Sequence, residues 1–311
     1  MKADNRPKFS VVIPVFNEEE NLEVLHTRLV KVMESLEEPY EIIFVDDGST
    51  DSSFQILKDL HQKDNNVKVI RFTRNFGHHI AITAGLDHCK GENIIVMDAD
   101  LQDQPEEIPK LLAKFNEGYD IVYGLRKKRQ DNLFKRLSSK VYLSLLAKLT
   151  NQTINPRMAS LRIMTRRVVD NVNELRECSR FWGGLIAWLG FSYAMVDIEH
   201  GKRLAGRSKY SLWKMIRLAI EGITSFSNVP LRLAAYFGFV IATLSFVFGV
   251  YMVMRKFIWD IPVAGYTSLI VAIFFMGGVQ LIVLGVIGEY IGKIHTEVRN
   301  RPLYVVEDII E

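Results

Sequence analysis

The chain has 311 residues, 48% of them hydrophobic, and a formal net charge of +3. That near-balanced charge, with no basic stripe interleaved with aromatics, excludes a nucleic-acid binder, and Cys89 and Cys178 lack metal-ligand spacing. The length leaves room for a full α/β domain with about a hundred residues to spare.

In chain order, residues 9–15 read as an apolar strand. A helix follows over 18–36, with Asn17 as N-cap and Glu20 three residues on. A second strand, 40–45, runs into Asp46-Asp47-Gly48-Ser49, and Asp51 is placed to cap a helix over 52–62. Then come a strand at 67–72, a helix over 78–89 and a strand at 93–97 that runs into Asp98-Ala99-Asp100. Pro105 opens a further helix, where its missing N–H costs nothing, and 120–123 is a fifth strand. Helices over 131–149 and 165–189 and strands near 160–164 and 192–199 complete the series. Strand–helix alternation with nearly continuous apolar strands predicts a parallel sheet covered on both faces. The turn after the first strand, Pro14-Val15-Phe16-Asn17-Glu18-Glu19, has no Gly-x-Gly-x-x-Gly, and a P-loop is absent, so a dinucleotide site is excluded.

Two strands therefore deliver acids to one sheet edge. Asp98 and Asp100, two apart on extended backbone, share a side and can reach one hard cation. The plain alternative is a polar strand end that begins a turn. Crowded carboxylates need a cation, donors or water between them, which makes Asp46 and Asp47 ligand candidates as well.

The apolar content is concentrated near the C-terminus. Residues 233–254 and 268–287 carry no charge, and at about 1.5 Å per residue each spans a hydrocarbon core of roughly 30 Å. Lys202, Arg203, Arg207, Lys209, Lys214, Arg217 and Arg232 precede them; Lys293, Arg299 and Arg301 follow. The connector has only Arg255 and Lys256, with Asp260 opposing, so the basic excess puts both termini in the cytoplasm. The polar stretch 1–8 gives no signal peptide. The basic amphipathic segment 126–146 suits an anionic membrane surface or packing on its own domain; 211–226 suits an interfacial helix.

Taken together, Ile13-Pro14-Val15-Phe16-Asn17-Glu18-Glu19, Val45-Asp46-Asp47-Gly48-Ser49-Thr50-Asp51, Arg74-Asn75-Phe76-Gly77 and Asp98-Ala99-Asp100-Leu101-Gln102-Asp103 resemble glycosyltransferase family 2. The segments 203–210, 221–226 and 284–292 resemble its polyisoprenyl-phosphate branch, related to dolichol-phosphate mannosyltransferase and the bacterial undecaprenyl-phosphate glucosyltransferases. The resemblance implies a Rossmann-like GT-A nucleotide-sugar domain over 1–200. It further implies a juxtamembrane acceptor segment over 201–229, a transmembrane hairpin over 230–292 and a cytoplasmic tail over 293–311.

By the same resemblance, Pro14, Phe16, Glu18, Asp46, Asp47 and Asp98 would bind the nucleotide. Asp98, Asp100 and Gln102 would hold Mg²⁺ or Mn²⁺, and Arg203, Ser208 and Lys209 would meet the lipid phosphate. Asp100 and Arg162 would serve catalysis. Where the family carries a proposed catalytic Asp, this chain has Ser160, and a serine is no base near neutral pH without an activator. A phosphomonoester acceptor, with a second pKa near 6, needs none. The implied reaction is inverting transfer of a hexose, UDP-linked, to polyprenyl phosphate on the cytoplasmic face of the plasma membrane. A catalytically dead scaffold and a processive polysaccharide synthase are the rivals; for the latter a Gln-x-x-Arg-Trp motif and a channel's worth of spans are absent. Gly288 and Gly292, with Gly277, Gly278 and Gly285, suggest a homo-oligomer, and residues 302–306 suggest an ordered, strand-like tail.

Overall fold

The computed structural model describes residues 6–126, 157–178, 180, 182–199, 201, 229–259 and 265–311. They divide into two units: one drawn from both ends of the chain, closing with 301–311, the other comprising the long apolar helices.

The first unit is built on β1 (Phe9–Val15), β2 (Tyr40–Asp46), β3 (Val67–Phe72), β4 (Asn93–Val96), β5 (Ile121–Arg126), β6 (Met158–Thr165), β7 (Tyr193–Ile198) and β8 (Val306–Ile310). Their order across one sheet is β7-β5-β6-β4-β1-β2-β3-β8. Every residue of β1 is buried, because both faces are covered. On one face lie α1 (Leu22–Glu34), α2 (Ser53–Lys63) and α4 (Ile108–Phe115), packing Leu25, Leu29, Leu57 and Leu111 against Val11, Ile13 and Phe44. On the other lie α3 (His78–His88), α5 (Arg166–Glu174) and α6 (Trp182–Leu189), packing Ala81, Ile82, Val169 and Trp182 against Val12, Val45 and Val96. At about 25 cal/mol per Å² of apolar surface, this double burial is the main force holding the sheet.

Several expectations need correcting. The sheet is mixed: β6 runs antiparallel to β4 and β5, and β8 antiparallel to β3. Apolar run length reveals a strand but not its direction, which depends on the connection. The first helix begins at Leu22 with Asn21 as N-cap; Asn17 instead has φ 57° in a turn tied to the loop after β2. The helix expected over 165–189 is two, α5 and α6, broken where Leu175 turns extended and the buried Arg180 donates Nη2 to the Val172 carbonyl. Helix 131–149 and the interfacial segment 211–226 lie outside the described residues.

The second unit holds α7 (Val229–Trp259) and α8 (Tyr266–Val298), longer than the apolar runs that nucleate them. Leu231–Tyr251 and Ala272–Val298 are long and apolar enough to cross a membrane, with mean hydropathy of 2.1 and 1.9. Phe246, Phe274 and Leu281 stand more than 70% exposed, which water penalises and lipid does not. The second helix overruns the expected hairpin end, and the tail, expected to be ordered and strand-like, pairs with β3 at the sheet edge as β8.

Candidate active site

β1 pairs with β4 only from Phe9–Asn93 to Val12–Val96, while its pairing with β2 continues to Val15–Asp46. Pro14, which has no N–H to donate, lies where β1 has lost β4 as a partner. The two strands part at the point where the chain's strand order reverses, the position at which open α/β sheets bind ligands. A cavity of about 220 Å³ opens there, lined by Pro14, Phe16, Glu18, Asp47, His78, Asp98 and Asp100 among others.

The loops that shape it are tied together by hydrogen bonds. The Asn17 amide donates to Ser49 Oγ at 3.0 Å, and the Thr50 amide donates to Asn17 Oδ1 at 2.8 Å. Asp51 Oδ1 accepts from the Ser53 amide at 3.0 Å, but the N-cap of α2 is Ser52, so Asp51 sits one residue outside the cap position expected of it. Gly48 has φ 69°, and a Cβ there would come within 2.5 Å of the Arg74 carbonyl carbon, so only glycine fits. Phe16 projects into the cavity with 45% of its surface exposed.

Strand alternation separates the two acids at the end of β2. Asp47 lines the cavity, and its carboxylate accepts from the amides of Phe76 (2.6 Å) and Gly77 (2.9 Å), fixing the β3–α3 loop. Burial pushes its pKa up, and those two amides work against the shift. Asp46 points to the opposite face, wholly buried, accepting from the Ser49 amide with Arg71 Nε 3.6 Å away. It is not among the cavity-lining residues, so its expected place at the nucleotide is corrected by the two-residue period of the strand.

Asp98 and Asp100 both reach the cavity. Asp100 Oδ1 accepts from the Gln102 amide at 3.0 Å, and Leu101 between them holds φ 57°, a strained value for a bulky residue. Gln102 contributes its backbone, its carbonyl also accepting from the Gly201 amide at 2.9 Å, and its side chain does not line the cavity. Asp98 Oδ2 accepts from Ser160 Oγ at 2.5 Å; Oδ1 is buried, accepts no hydrogen bond, and lies 3.4 Å from His78 Nε2. An enclosed carboxylate oxygen without a donor, beside a second carboxylate, suits a hard divalent cation. Among the described residues no set of three or more His, Cys, Asp or Glu is arranged for a metal, so ligand oxygens would have to complete the shell.

Beyond Asp98, Arg162 is 8% exposed, with its guanidinium 5.3 Å from the Trp182 ring. Burial lowers its pKa, against the pull of Tyr123 and Asp98. Burial likewise pushes the Tyr123 phenol up to about 12. His78 and Asn75 were missed as site residues; Gly77 at φ 106°, the pivot of their loop, was the available signal. Asp103 was missed too: it is buried and accepts from the Leu161 amide at 3.1 Å, tying the acidic turn to β6. Arg203, Ser208 and Lys209 lie outside the described residues.

Residues 10–172 match the family described as Glycosyl transferase family 2, and residues 229–294 match the GtrB C-terminal hairpin. The chain is 43% identical, over 97% of its length and 95% of the other's, to an uncharacterized glycosyltransferase, sll0501, of Synechocystis. It is 42% identical to the SfII prophage-derived bactoprenol glucosyl transferase of Shigella flexneri, over 96% of this chain and 97% of that protein. It is 40% identical to the prophage bactoprenol glucosyl transferase homolog of Escherichia coli K12, over 97% of this chain and 99% of that protein.

Proposed function

The chain belongs to glycosyl transferase family 2, and from that membership we propose that it transfers glucose from a UDP-linked donor to a polyprenyl phosphate, inverting the anomeric carbon. The observation that carries this reading is the convergence of Phe16, Glu18, Asp47, Asp98 and Asp100 on one cavity at the sheet's switch point. The exposed Phe16 ring offers the base a stacking surface. Glu18 and Asp47 offer carboxylate oxygens to ribose hydroxyls. Asp98 and Asp100 are suited to hold Mg²⁺ or Mn²⁺, with the Gln102 amide orienting Asp100. Such a cation, when bound, neutralises charge building on the departing diphosphate.

The acceptor phosphate is already an anion at pH 7. One of its oxygens forms the new bond to the anomeric carbon as the bond to the diphosphate breaks, and that electron pair leaves on the nucleoside diphosphate. No proton need be removed, which accords with a serine at position 160 that donates to Asp98 instead of accepting. Arg203, Ser208 and Lys209 are assigned to the lipid head by resemblance, and the two long helices to anchoring the enzyme in the plasma membrane with its catalytic unit cytoplasmic. Among the described residues a Cβ on Gly277, Gly278, Gly285, Gly288 or Gly292 would meet nothing within 4 Å, which suits that face to a second copy in a homo-oligomer.

The test is a transfer assay with purified full-length protein, polyprenyl phosphate, Mg²⁺ and a panel of labelled nucleotide-sugars. Metal-dependent labelling of the lipid from UDP-glucose is expected. Undiminished transfer in EDTA would remove the metal assignment, and no labelled lipid from any sugar would overturn the reading.

A further inference from the structure

Arg162 is a buried, poorly satisfied charge one strand from the site. It is 8% exposed, yet its guanidinium makes no hydrogen bond among the described residues, and its Nε is enclosed without a partner. Arginine stays protonated when buried; the Trp182 ring at 5.3 Å and the pull of Asp98 meet this charge only in part, because neither takes a hydrogen bond from it. A fold retains such a group where a ligand supplies the anion.

Its place in the sheet indicates which anion. Arg162 pairs across the ladder with Val96 of β4 on one side and Tyr123 of β5 on the other. Ser160, two residues earlier on the same face, donates to Asp98. Tyr123 is 7% exposed and its hydroxyl makes no hydrogen bond among the described residues. The donor cavity draws on β1, the ends of β2 and β4 and the β3–α3 loop. Arg162 and Tyr123 stand on the strands across β4, with Asp98 at the divide. Inverting displacement requires the nucleophile and the leaving group on opposite faces of the sugar.

We propose that the Arg162 guanidinium, with the Tyr123 hydroxyl beside it, forms the subsite that receives the phosphate of the acceptor lipid. The planar fork donates to two phosphate oxygens and leaves the third facing the anomeric carbon. This rests on the transferase reading above, and is independent of Arg203 and Lys209.

The experiment uses full-length protein in detergent, as wild type, Arg162→Met and Arg162→Lys. A short-chain polyprenyl phosphate, the matching polyprenol and UDP-glucose are each titrated by calorimetry. Wild type should favour the phosphate over the alcohol. Arg162→Met should weaken the lipid phosphate by about tenfold or more, as for loss of a charge-assisted pair. It should leave the polyprenol unchanged and UDP-glucose within about twofold, and its Tm should hold or rise because an unpaired buried charge is gone. Arg162→Lys should recover part of the affinity, keeping the charge without the fork. Unchanged lipid-phosphate affinity in Arg162→Met, or a wild type that does not distinguish phosphate from alcohol, would overturn the proposal. So would an equal loss of UDP-glucose affinity, which would move Arg162 to the donor diphosphate. Binding is read without turnover, so an enzyme that transfers no sugar would fail the transferase reading and leave this result standing on its own.

Discussion

Ser160 occupies the position of greatest mechanistic consequence, 2.5 Å from Asp98 Oδ2 and donating to it. Its role is to orient a carboxylate, so Ser160→Ala should lower kcat less than tenfold and raise the donor KM a few-fold in steady-state kinetics. A kcat loss of 10²–10⁴, the usual cost of losing a general acid or base, would show that the hydroxyl moves a proton. At the opposite end of the sheet, Glu41 is buried and accepts from Ser10 Oγ (2.6 Å), the Lys90 amide (2.6 Å) and Lys68 Nζ (2.7 Å). Burial works to raise its pKa, but these donors together outweigh burial and hold it below the ordinary glutamate value. A depressed carboxyl stabilises the fold fully above its unfolded pKa and loses that contribution as pH falls through the folded one. Glu41→Gln should therefore cost about 1–3 kcal/mol at neutral pH. Thermal unfolding should show the gap to wild type closing as the buffer is taken into the acid range. Asp98 and Asp100 were legible because an apolar strand ending in acids is a local pattern. The burial of Asp46 was not, since it depends on which strand face meets the cavity.

The edge element β8 shows how far an element can be read. Strand-like composition was evident at 302–306, but the strand forms at 306–310, a largely exposed edge in which only Val306 and Ile310 are partly buried. Its partner, β3, lies more than two hundred residues earlier in the chain, and nothing local specifies such a pairing. The ladder runs antiparallel, Ile70 opposite Ile309 and Arg71 opposite Asp308, with Arg71 Nε 3.2 Å from Glu307. Tyr304 anchors it: the ring stacks on Phe72 at 5.1 Å, and the hydroxyl donates to Asp87, which Arg176 also grips with two N–H groups. Phe72 in turn meets Phe76 edge-on at 5.6 Å, in the loop held by Asp47. Tyr304→Ala should cost about 2–4 kcal/mol, below the cost for a fully enclosed aromatic because the ring is only partly buried. Tyr304→Phe should cost about 1 kcal/mol, the worth of one hydrogen bond. Limited proteolysis checks both: chymotryptic cleavage after Leu303 should be fast in the alanine variant and near wild type in the phenylalanine one.

At the scale of the whole molecule, chain order constrains the membrane topology. The sheet begins with β1 and ends at its edge with β8, and both long apolar helices fall between them in sequence. A strand can join a sheet only from the same aqueous side, so a chain that leaves the sheet and returns to it crosses a bilayer an even number of times. The two candidate spans among the described residues satisfy this; one or three would not. The basic residues agree, Arg232, Lys293, Arg299 and Arg301 flanking the pair against Arg255 and Lys256 in the last turns of α7, beyond the span. The connector should thus face outward and both termini inward. Single-cysteine labelling in intact cells reads this directly, with Cys178 replaced by Ser; Cys89 can stay, since burial pushes its thiol up to about 11. Asp260→Cys should react with a membrane-impermeant maleimide added outside, and Glu311→Cys only after permeabilisation. Outside labelling of position 311 with position 260 protected would reverse the orientation. Labelling of both from outside, or opposite sidedness for position 311 and a cysteine at position 3, would break the link between the sheet and the hairpin.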